Sequence, residues 1–483
     1  MRRLGIKSIC TLLLAIAYSH LIFNTVQAHS FGERYDLPLP LSMYLTSAAV
    51  VVLVSFVITA VFLRQSRLAN LSPYIELKSF LPRGSLSRKI ITSILQLIGV
   101  TLFALTLVTA YVGDNNTFNN FSPTFVWIIW WVGFTFIVAL VGNFWPALNP
   151  WRTLALWSHL FKVKSHRPYP EKLGAWPVVI IFIIFAWLEL IAQGPETPKV
   201  LFWLITIYSF YTWLGMAIFG INNWLRHGDV FSHFFNLFGR FALFNVKSDK
   251  VQLRLPGSGL THDKPLHFSE TFFVVLLLST VSFDGILETP LWKNLLDFIA
   301  ENQLIRPLLI DLQGNGIDII TLIKSLALLI VPCLLLSVFL IFCYLSVKTG
   351  GKKMSLTEAA GHYVLSLVPI ALAYHIAHYI FYLMIAGQQI IPLLSDPFGY
   401  GWDIFGTKNY TMDIGVINAK TVWFISIYAI IIGHIIAVVL AHYSAIKIYQ
   451  NHKQTLMSQI PMLILMIAYT MLSLWILSQP IVE

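Results

Sequence analysis

The stretch SLALLIVPCLLLSVFLIFCYLSV, residues 325–347, carries no charged side chain along its whole length. Coiled as an α-helix it would be about 35 Å long, and the hydrocarbon core of a bilayer is about 30 Å thick. The composition of the chain agrees, since 57% of its 483 residues are hydrophobic, 11% are charged and the mean hydropathy is +0.74. Ordinary soluble domains are about 25% charged. The sequence therefore predicts an integral membrane protein of the all-α class.

Similar apolar runs recur along the chain and predict a polytopic bundle of about ten transmembrane helices. The predicted spans are residues 42–63, 90–112, 124–142, 175–193, 198–220, 269–287, 318–347, 360–386, 421–447 and 457–479. The longest polar gap, about residues 222–268, is predicted to be the largest cytoplasmic loop. Residues 29–483 are therefore predicted to form a single polytopic transmembrane domain.

The first 28 residues have the pattern of a cleavable signal peptide. A basic start, MRRLGIK, precedes an apolar run, and NTVQA then ends in the small-x-small pattern of a cleavage site. An uncleaved anchor is the alternative. Cleavage after Ala28 would leave His29 as the N-terminal residue, whose amine and imidazole together form a chelating pair that suits copper. We therefore count His29 as a candidate metal ligand; the alternative is that it is simply the residue that follows the cleavage site.

The distribution of positive charge predicts the orientation of the chain. With the mature N-terminus outside, the loops after odd-numbered spans are cytoplasmic, and they hold 22 of the 32 Lys and Arg residues, against 6 in the outer segments. Cytoplasmic loops of membrane proteins carry such an excess. The net charge of +10 thus reflects orientation in a lipid bilayer. No basic patch with interleaved aromatic residues predicts nucleic acid as a partner.

A few ionisable side chains interrupt the apolar spans, and these are the candidate functional residues. Glu189 and Asp284 lie near the predicted outer ends of spans four and six. His375 and His378 of span eight and His434 of span nine lie at similar depths in the outer half of the membrane. Because such side chains are costly in hydrocarbon, they usually face a partner, a cavity or a ligand.

The spacing of these histidines suits a metal ion. His375 and His378, three residues apart, share one face of a helix. A third imidazole from His434 and a carboxylate from Asp284 or Glu189 would complete a set of three or four nitrogen and oxygen ligands that zinc, copper or iron accepts. The alternative is that each histidine only forms a hydrogen bond with a neighbouring helix.

A set of motifs spread over nearly the whole mature chain resembles a bacterial family of multi-pass membrane proteins often labelled fenitrothion hydrolase. The resemblance implies the bacterial inner membrane and an enzyme that hydrolyses lipophilic, organophosphate-like esters. It carries over no catalytic residue, so the site residues above rest on depth and spacing alone. The motifs are AHSFGERYDLPLPL (28–41), VGNFWPALNPWRTL (141–154), AWLEL (186–190), SFDG (282–285), YHIAHY (374–379), SDPFGYGWDIFGT (395–407) and GHIIAVVLAH (433–442).

Under this hypothesis the protein is a membrane-embedded, metal-dependent hydrolase. A bound divalent metal would lower the pKa of its water towards about 7 and polarise the phosphoryl oxygen of the substrate. The three histidines of spans eight and nine would hold the metal. Asp284 would be a further ligand in the catalytic site, and Glu189 would be the base that takes the proton of the water.

Two other classes of protein fit the same residues. His375 and His434, on successive antiparallel helices, could ligate a b-type haem from two sides in a redox protein. In a transporter or metal-handling protein, the outer acids and histidines would instead form an ion path. The sequence leaves open the substrate, the metal and any partner subunit in the membrane.

Overall fold

The protein is described from a computed structural model over residues 40–63, 74–77, 86–158, 167–247, 250–261, 264–449 and 451–479. The predicted signal peptide, residues 1–28, and the candidate ligand His29 lie outside these described residues. All elements described below belong to one compact unit.

Ten helices in this part of the chain are long and apolar enough to cross a membrane, which confirms the predicted all-α polytopic bundle. Each corresponds to one predicted span, and the boundaries differ by up to nine residues, the largest difference being at the end of span eight, which extends to Ser395. Which end of the bundle faces the cytoplasm stays a prediction. The helices are α1 (Leu41–Phe62), α2 (Leu86–Val112), α3 (Phe121–Leu140), α4 (Glu171–Leu190, α-helical over Trp176–Leu190), α5 (Pro198–Phe219), α6 (Phe268–Leu287), α7 (Ile319–Gly350), α8 (Leu356–Ser395), α9 (Ala419–Ile448) and α10 (His452–Ser478).

Helices α6 and α8 form the centre of the bundle. In their most apolar windows 67% and 72% of the residues are buried, against 11% in α2. The long α8 span is not uniform, since two short 3₁₀ segments, Val364–Leu367 and Gly387–Gln389, interrupt it. Its three α-helical parts are Leu356–Tyr363, Val368–Ala386 and Ile390–Ser395. The predicted histidine pair lies in the middle part.

A glycine allows α9 to approach α8 closely. A Cβ atom added at Gly433 would lie 2.7 Å from the Cβ of Ala373 and 2.8 Å from the carbonyl oxygen of Pro369. Such contacts are shorter than real Cβ atoms show, so only glycine fits here without a shift. The contact fixes the turn of α8 directly before His375.

Helix α3 contains a π-helical segment, Thr124–Gly133, between a short α-helical start, Phe121–Pro123, and an α-helical end, Phe134–Leu140. At its end the amide of Phe134 bonds to the carbonyl of Ile129, five residues back. Segments of π-helix are rare and occur frequently at functional sites.

Short elements connect the ten long helices. Strands β1 (Tyr74–Leu77), β2 (Phe244–Lys247) and β3 (Lys250–Arg254) form an antiparallel sheet in the order β1-β3-β2. The region predicted as the largest loop therefore contains a β-hairpin and short helices. The short helices are Trp145–Leu148, Pro150–Trp157, Ile221–His227, Val230–Gly239, Pro290–Glu301 and Arg306–Gly314, and the remaining 3₁₀ turns are Thr117–Asn119, Glu171–Leu173 and Ser258–Leu260.

The helix Val230–Gly239, which we call the aromatic helix, carries four phenylalanines that are all buried. The side chain of Asp229 caps its first turn by accepting a hydrogen bond from the amide of Ser232. At its other end Arg254 of β3 donates from Nη2 to the carbonyl of Gly239, at 2.7 Å, and from Nε to that of Ala242, at 2.9 Å. Held at both ends, the helix packs its rings against α3, α4 and α8.

Candidate functional site

The structure brings Asp284 of α6 and His378 of α8 into direct contact. His378 Nε2 lies 2.5 Å from Asp284 Oδ2, and only 7% of the surface of Asp284 is exposed. Both residues were predicted as part of the site. An imidazole and a carboxylate so arranged can share or exchange a proton.

Glu189 of α4 completes a polar cluster with this pair. Its Oε1 atom accepts hydrogen bonds from Trp131 Nε1 at 2.7 Å and from the Tyr379 hydroxyl at 2.8 Å. It also lies within electrostatic range of Asp284 and His378. We call Glu189, Asp284 and His378 the acid–histidine cluster. Three helices thus supply the cluster, with a carboxylate each from α4 and α6 and an imidazole from α8.

Tyr379 connects the cluster to His375. Its ring centroid lies 4.6 Å from that of His378 and 4.7 Å from that of His375, so the ring neighbours both imidazoles. Its hydroxyl bonds to Glu189. Residues four apart on a helix meet on one face, which explains why His375 and Tyr379 point towards the same side of α8.

His375 borders a small cavity next to the cluster. Its side chain is only 3% exposed, and its Nε2 atom has no hydrogen-bond partner among the described residues. The cavity volume of about 20 Å³ is room for about one water molecule. The residues that line it are Trp131, Phe182, Ala186, Glu189, Leu190, Phe234, Phe238, Leu277, Thr280, Val281, Ala371, His375 and Tyr379.

His434 lies in different surroundings from His375. It is fully buried on α9, its Nδ1 atom lies 2.8 Å from the carbonyl oxygen of Ile430, and its ring packs 6.2 Å from that of Tyr469. The rings next to His375 belong to Trp131, Phe136, Phe238 and Tyr379. The two histidines share no ring neighbour in the described part of the chain. A haem held between them stays a prediction.

The predicted metal ligands are brought together only in part. Among the residues that the structure describes, no group of three or more His, Cys, Asp or Glu side chains is close enough to hold a metal ion. The Nε2 atom of His378 faces Asp284, whereas the unpartnered Nε2 atom of His375 borders the cavity together with Glu189. Because the donors do not converge on one point, the four-ligand metal site stays a prediction.

A second buried carboxylate, Asp229, was missed because its position was predicted to be a loop. Its Oδ1 atom accepts a hydrogen bond from the Tyr208 hydroxyl, and its Oδ2 atom accepts from the hydroxyl and the amide of Ser232. Burial raises the pKa of Asp229 above its usual value of 3.8. We call Asp229, Tyr208 and Ser232, together with Trp145 and Asn149, the Asp229 network.

Sequence reasoning also missed Trp131, Tyr379 and the phenylalanines of the aromatic helix. A signal existed for Tyr379, which lies four residues after His375. No local signal existed for Trp131, because its partner Glu189 is 58 residues away along the chain. An aromatic residue in a membrane protein usually packs or anchors at the interface, so residue type alone could not single it out.

Comparison with known proteins identifies no protein similar to this chain. A scan against protein families, a search of curated proteins and a search of solved structures each found no match to this chain. The resemblance to the fenitrothion hydrolase family stays a prediction. The proposals below therefore rest on the geometry of the site.

Proposed function

We propose that the protein is an ion-coupled membrane transporter in which the acid–histidine cluster takes up and releases a proton. The observation that carries this proposal is the contact of His378 with Asp284 beside Glu189, contributed by three different helices. Ionisable groups inside a membrane bundle mark proton relays and ion pathways. This was one of the functions that the sequence left open.

In this proposal each residue of the cluster has a distinct role. Asp284 and His378 hold a proton between Oδ2 and Nε2. Glu189 is held in place by Trp131 and Tyr379, and it is an acceptor within electrostatic range to which charge can be passed. Because the groups sit on α4, α6 and α8, a small movement of one helix would change which pairs are in contact. Such a change is what couples a proton to the movement of another ion.

Proton movement in liposomes tests the proposal. The full chain is reconstituted with a pH-sensitive dye inside the vesicles, and the pH change is followed after a proton gradient is imposed. We expect Asp284→Asn and His378→Gln to abolish the protein-dependent flux. The control is Asp297→Asn, which changes an exposed acid on the helix Pro290–Glu301 and should leave the flux unchanged. Proton flux that is the same in Asp284→Asn and His378→Gln as in the wild type would contradict the proposal.

A second candidate is the membrane-embedded, metal-dependent hydrolase of lipophilic, organophosphate-like esters. One observation favours it, namely that the unpartnered Nε2 atom of His375 and the carboxylate of Glu189 border the same cavity. A divalent metal such as zinc, copper or iron would supply a water of lowered pKa, and His375 would be one of its ligands. Glu189 would then hold the proton taken from that water.

Metal analysis separates this candidate from the first. The metal content of the purified protein is measured by mass spectrometry and compared with that of a His375→Ala/His378→Ala double variant, together with hydrolysis of a lipophilic phosphotriester. Stoichiometric metal and hydrolysis that both disappear in the variant would favour the hydrolase. If the protein contains no metal after growth in metal-replete medium and hydrolyses no phosphotriester, the hydrolase candidate is wrong.

A further inference from the structure

The cavity beside His375 contains two polar groups with unused hydrogen-bonding capacity. Both hydrogen bonds that Glu189 accepts from the described residues go to Oε1, so its second oxygen remains available. The Nε2 atom of His375 is buried and has no partner in the part of the chain described here. Buried polar atoms are nearly always paired. An occupant that donates hydrogen bonds to both groups would satisfy them.

The remaining wall of the cavity is mostly aromatic. Trp131, Phe182, Phe234, Phe238 and Tyr379 all line it. The π-systems of such rings attract cations that have given up their water. A strongly hydrated ion finds no replacement for its hydration shell here. The walls therefore favour a weakly hydrated cation of small size.

We propose that this cavity binds a single ammonium ion, with Glu189 balancing its charge and His375 Nε2 accepting one of its hydrogen bonds. The inference rests on the proposed transport function, because it names the cation that moves with or against the proton. Thr280 offers a third acceptor on the wall, since its hydroxyl donates to the carbonyl of Leu277 at 3.1 Å and leaves its lone pairs available. The volume of about 20 Å³ suits an ion of about the size of one water molecule.

The donor set distinguishes ammonium from other occupants. Zinc in proteins almost always takes four ligands, or three and a water, in a tetrahedral arrangement, and magnesium needs near-octahedral oxygen ligands. Potassium sites replace the hydration shell by a ring of oxygens. This cavity offers one carboxylate oxygen, one imidazole nitrogen and one hydroxyl. Those few directional acceptors match an ion that is itself a hydrogen-bond donor.

Calorimetric titration of the full chain in detergent tests the inference. Ammonium chloride is compared with potassium chloride at the same ionic strength, because the two cations are similar in size and only ammonium donates hydrogen bonds. We expect saturable binding of one ammonium ion per chain, and binding of potassium that is weaker by about tenfold or more. This comparison uses the wild-type protein and does not depend on the folding of any variant.

Two variants and a matched control locate the site. Glu189→Gln should abolish ammonium binding, and His375→Phe, which keeps a ring but removes the acceptor, should weaken it by about tenfold or more. The control is His434→Phe, because His434 is equally buried and also has an unpartnered Nε2 atom but does not line the cavity. It should bind ammonium as the wild type does.

The outcomes separate this inference from the transport proposal. Equal binding of ammonium and potassium, tighter binding of zinc than of ammonium, or no saturable binding at all would overturn the ammonium site. If proton flux still requires Asp284 and His378 in that case, the transport proposal stands without it. If ammonium binds but no proton flux is seen, the ammonium-binding site stands and the proposed coupling to proton transport is wrong.

Discussion

Two carboxylates of the protein, Asp229 and Glu189, have quite different surroundings. Asp229 has hydrogen-bond donors on both oxygens, supplied by Tyr208 and Ser232. The hydroxyl of Ser232 in turn accepts from Trp145 Nε1 and from Asn149 Nδ2, each at 3.2 Å. The network thus connects the aromatic helix to the short helix Trp145–Leu148 and to Asn149, which caps the short helix Pro150–Trp157.

Glu189 belongs to an open arrangement. The hydrogen bonds that it accepts from described residues all go to Oε1. It also lines a cavity together with His375, whose Nε2 atom has no hydrogen-bond partner among the described residues. A fully satisfied polar network makes a unique, rigid structure, whereas an unsatisfied buried atom needs an explanation such as an ion or a water. The contrast teaches that burial of an acid alone does not mark function. What marks it is unused hydrogen-bonding capacity at the wall of a cavity.

The largest expected effect on stability is at the Asp229 network. Asp229→Ala would leave the Tyr208 hydroxyl and the first amides of the aromatic helix without their acceptor, and we expect it to lower the free energy of unfolding by about 2–4 kcal/mol. Thermal unfolding of the detergent-purified protein measures this loss. Asp297→Ala on the exposed face of Pro290–Glu301 serves as the control and should change little. If both variants unfold alike, the Asp229 network is not a stabilising element.

A smaller effect follows from the raised pKa of Asp229. Because burial holds the folded-state pKa of this carboxyl above 3.8, the folded chain binds more protons than the unfolded chain between 3.8 and the folded pKa. Stability should therefore fall as the pH rises through that window. Asp229→Asn cannot titrate there, so the difference in melting temperature between the variant and the wild type should shift in favour of the variant as the pH rises. A difference that is constant from pH 4 to pH 7 would contradict the raised pKa.

The sequence predicts the helices and some of the candidate site residues. Hydrophobic length predicts all ten helices, because in lipid every backbone polar group must be satisfied within a helix. The same principle singles out Glu189, Asp284 and His378, since ionisable groups stand out against apolar spans. The structure places Asp284 and His378 in contact and Glu189 within electrostatic range of both.

Other parts of the site depend on tertiary packing that the sequence does not reveal. His434 lies at a similar predicted depth to His375, yet it faces Tyr469 on α10, because depth does not fix the direction of a side chain around its helix. Asp229 looks like an ordinary loop acid until the aromatic helix is seen to pack inside the bundle. Trp131 donates its hydrogen bond to Glu189 because the π-helical segment of α3 packs against α4.

The smallest expected change in stability is at the open site. Glu189→Gln keeps the shape of the side chain and leaves an oxygen to accept from Trp131 and Tyr379, and removal of a functional charge often costs no stability. We expect the free energy of unfolding to stay within about 1 kcal/mol of the wild type, while proton flux and ammonium binding are lost. Unfolding and flux measured on the same preparation give both values. A large loss of stability with flux retained would make Glu189 a structural acid like Asp229 and would erase the distinction between the two networks.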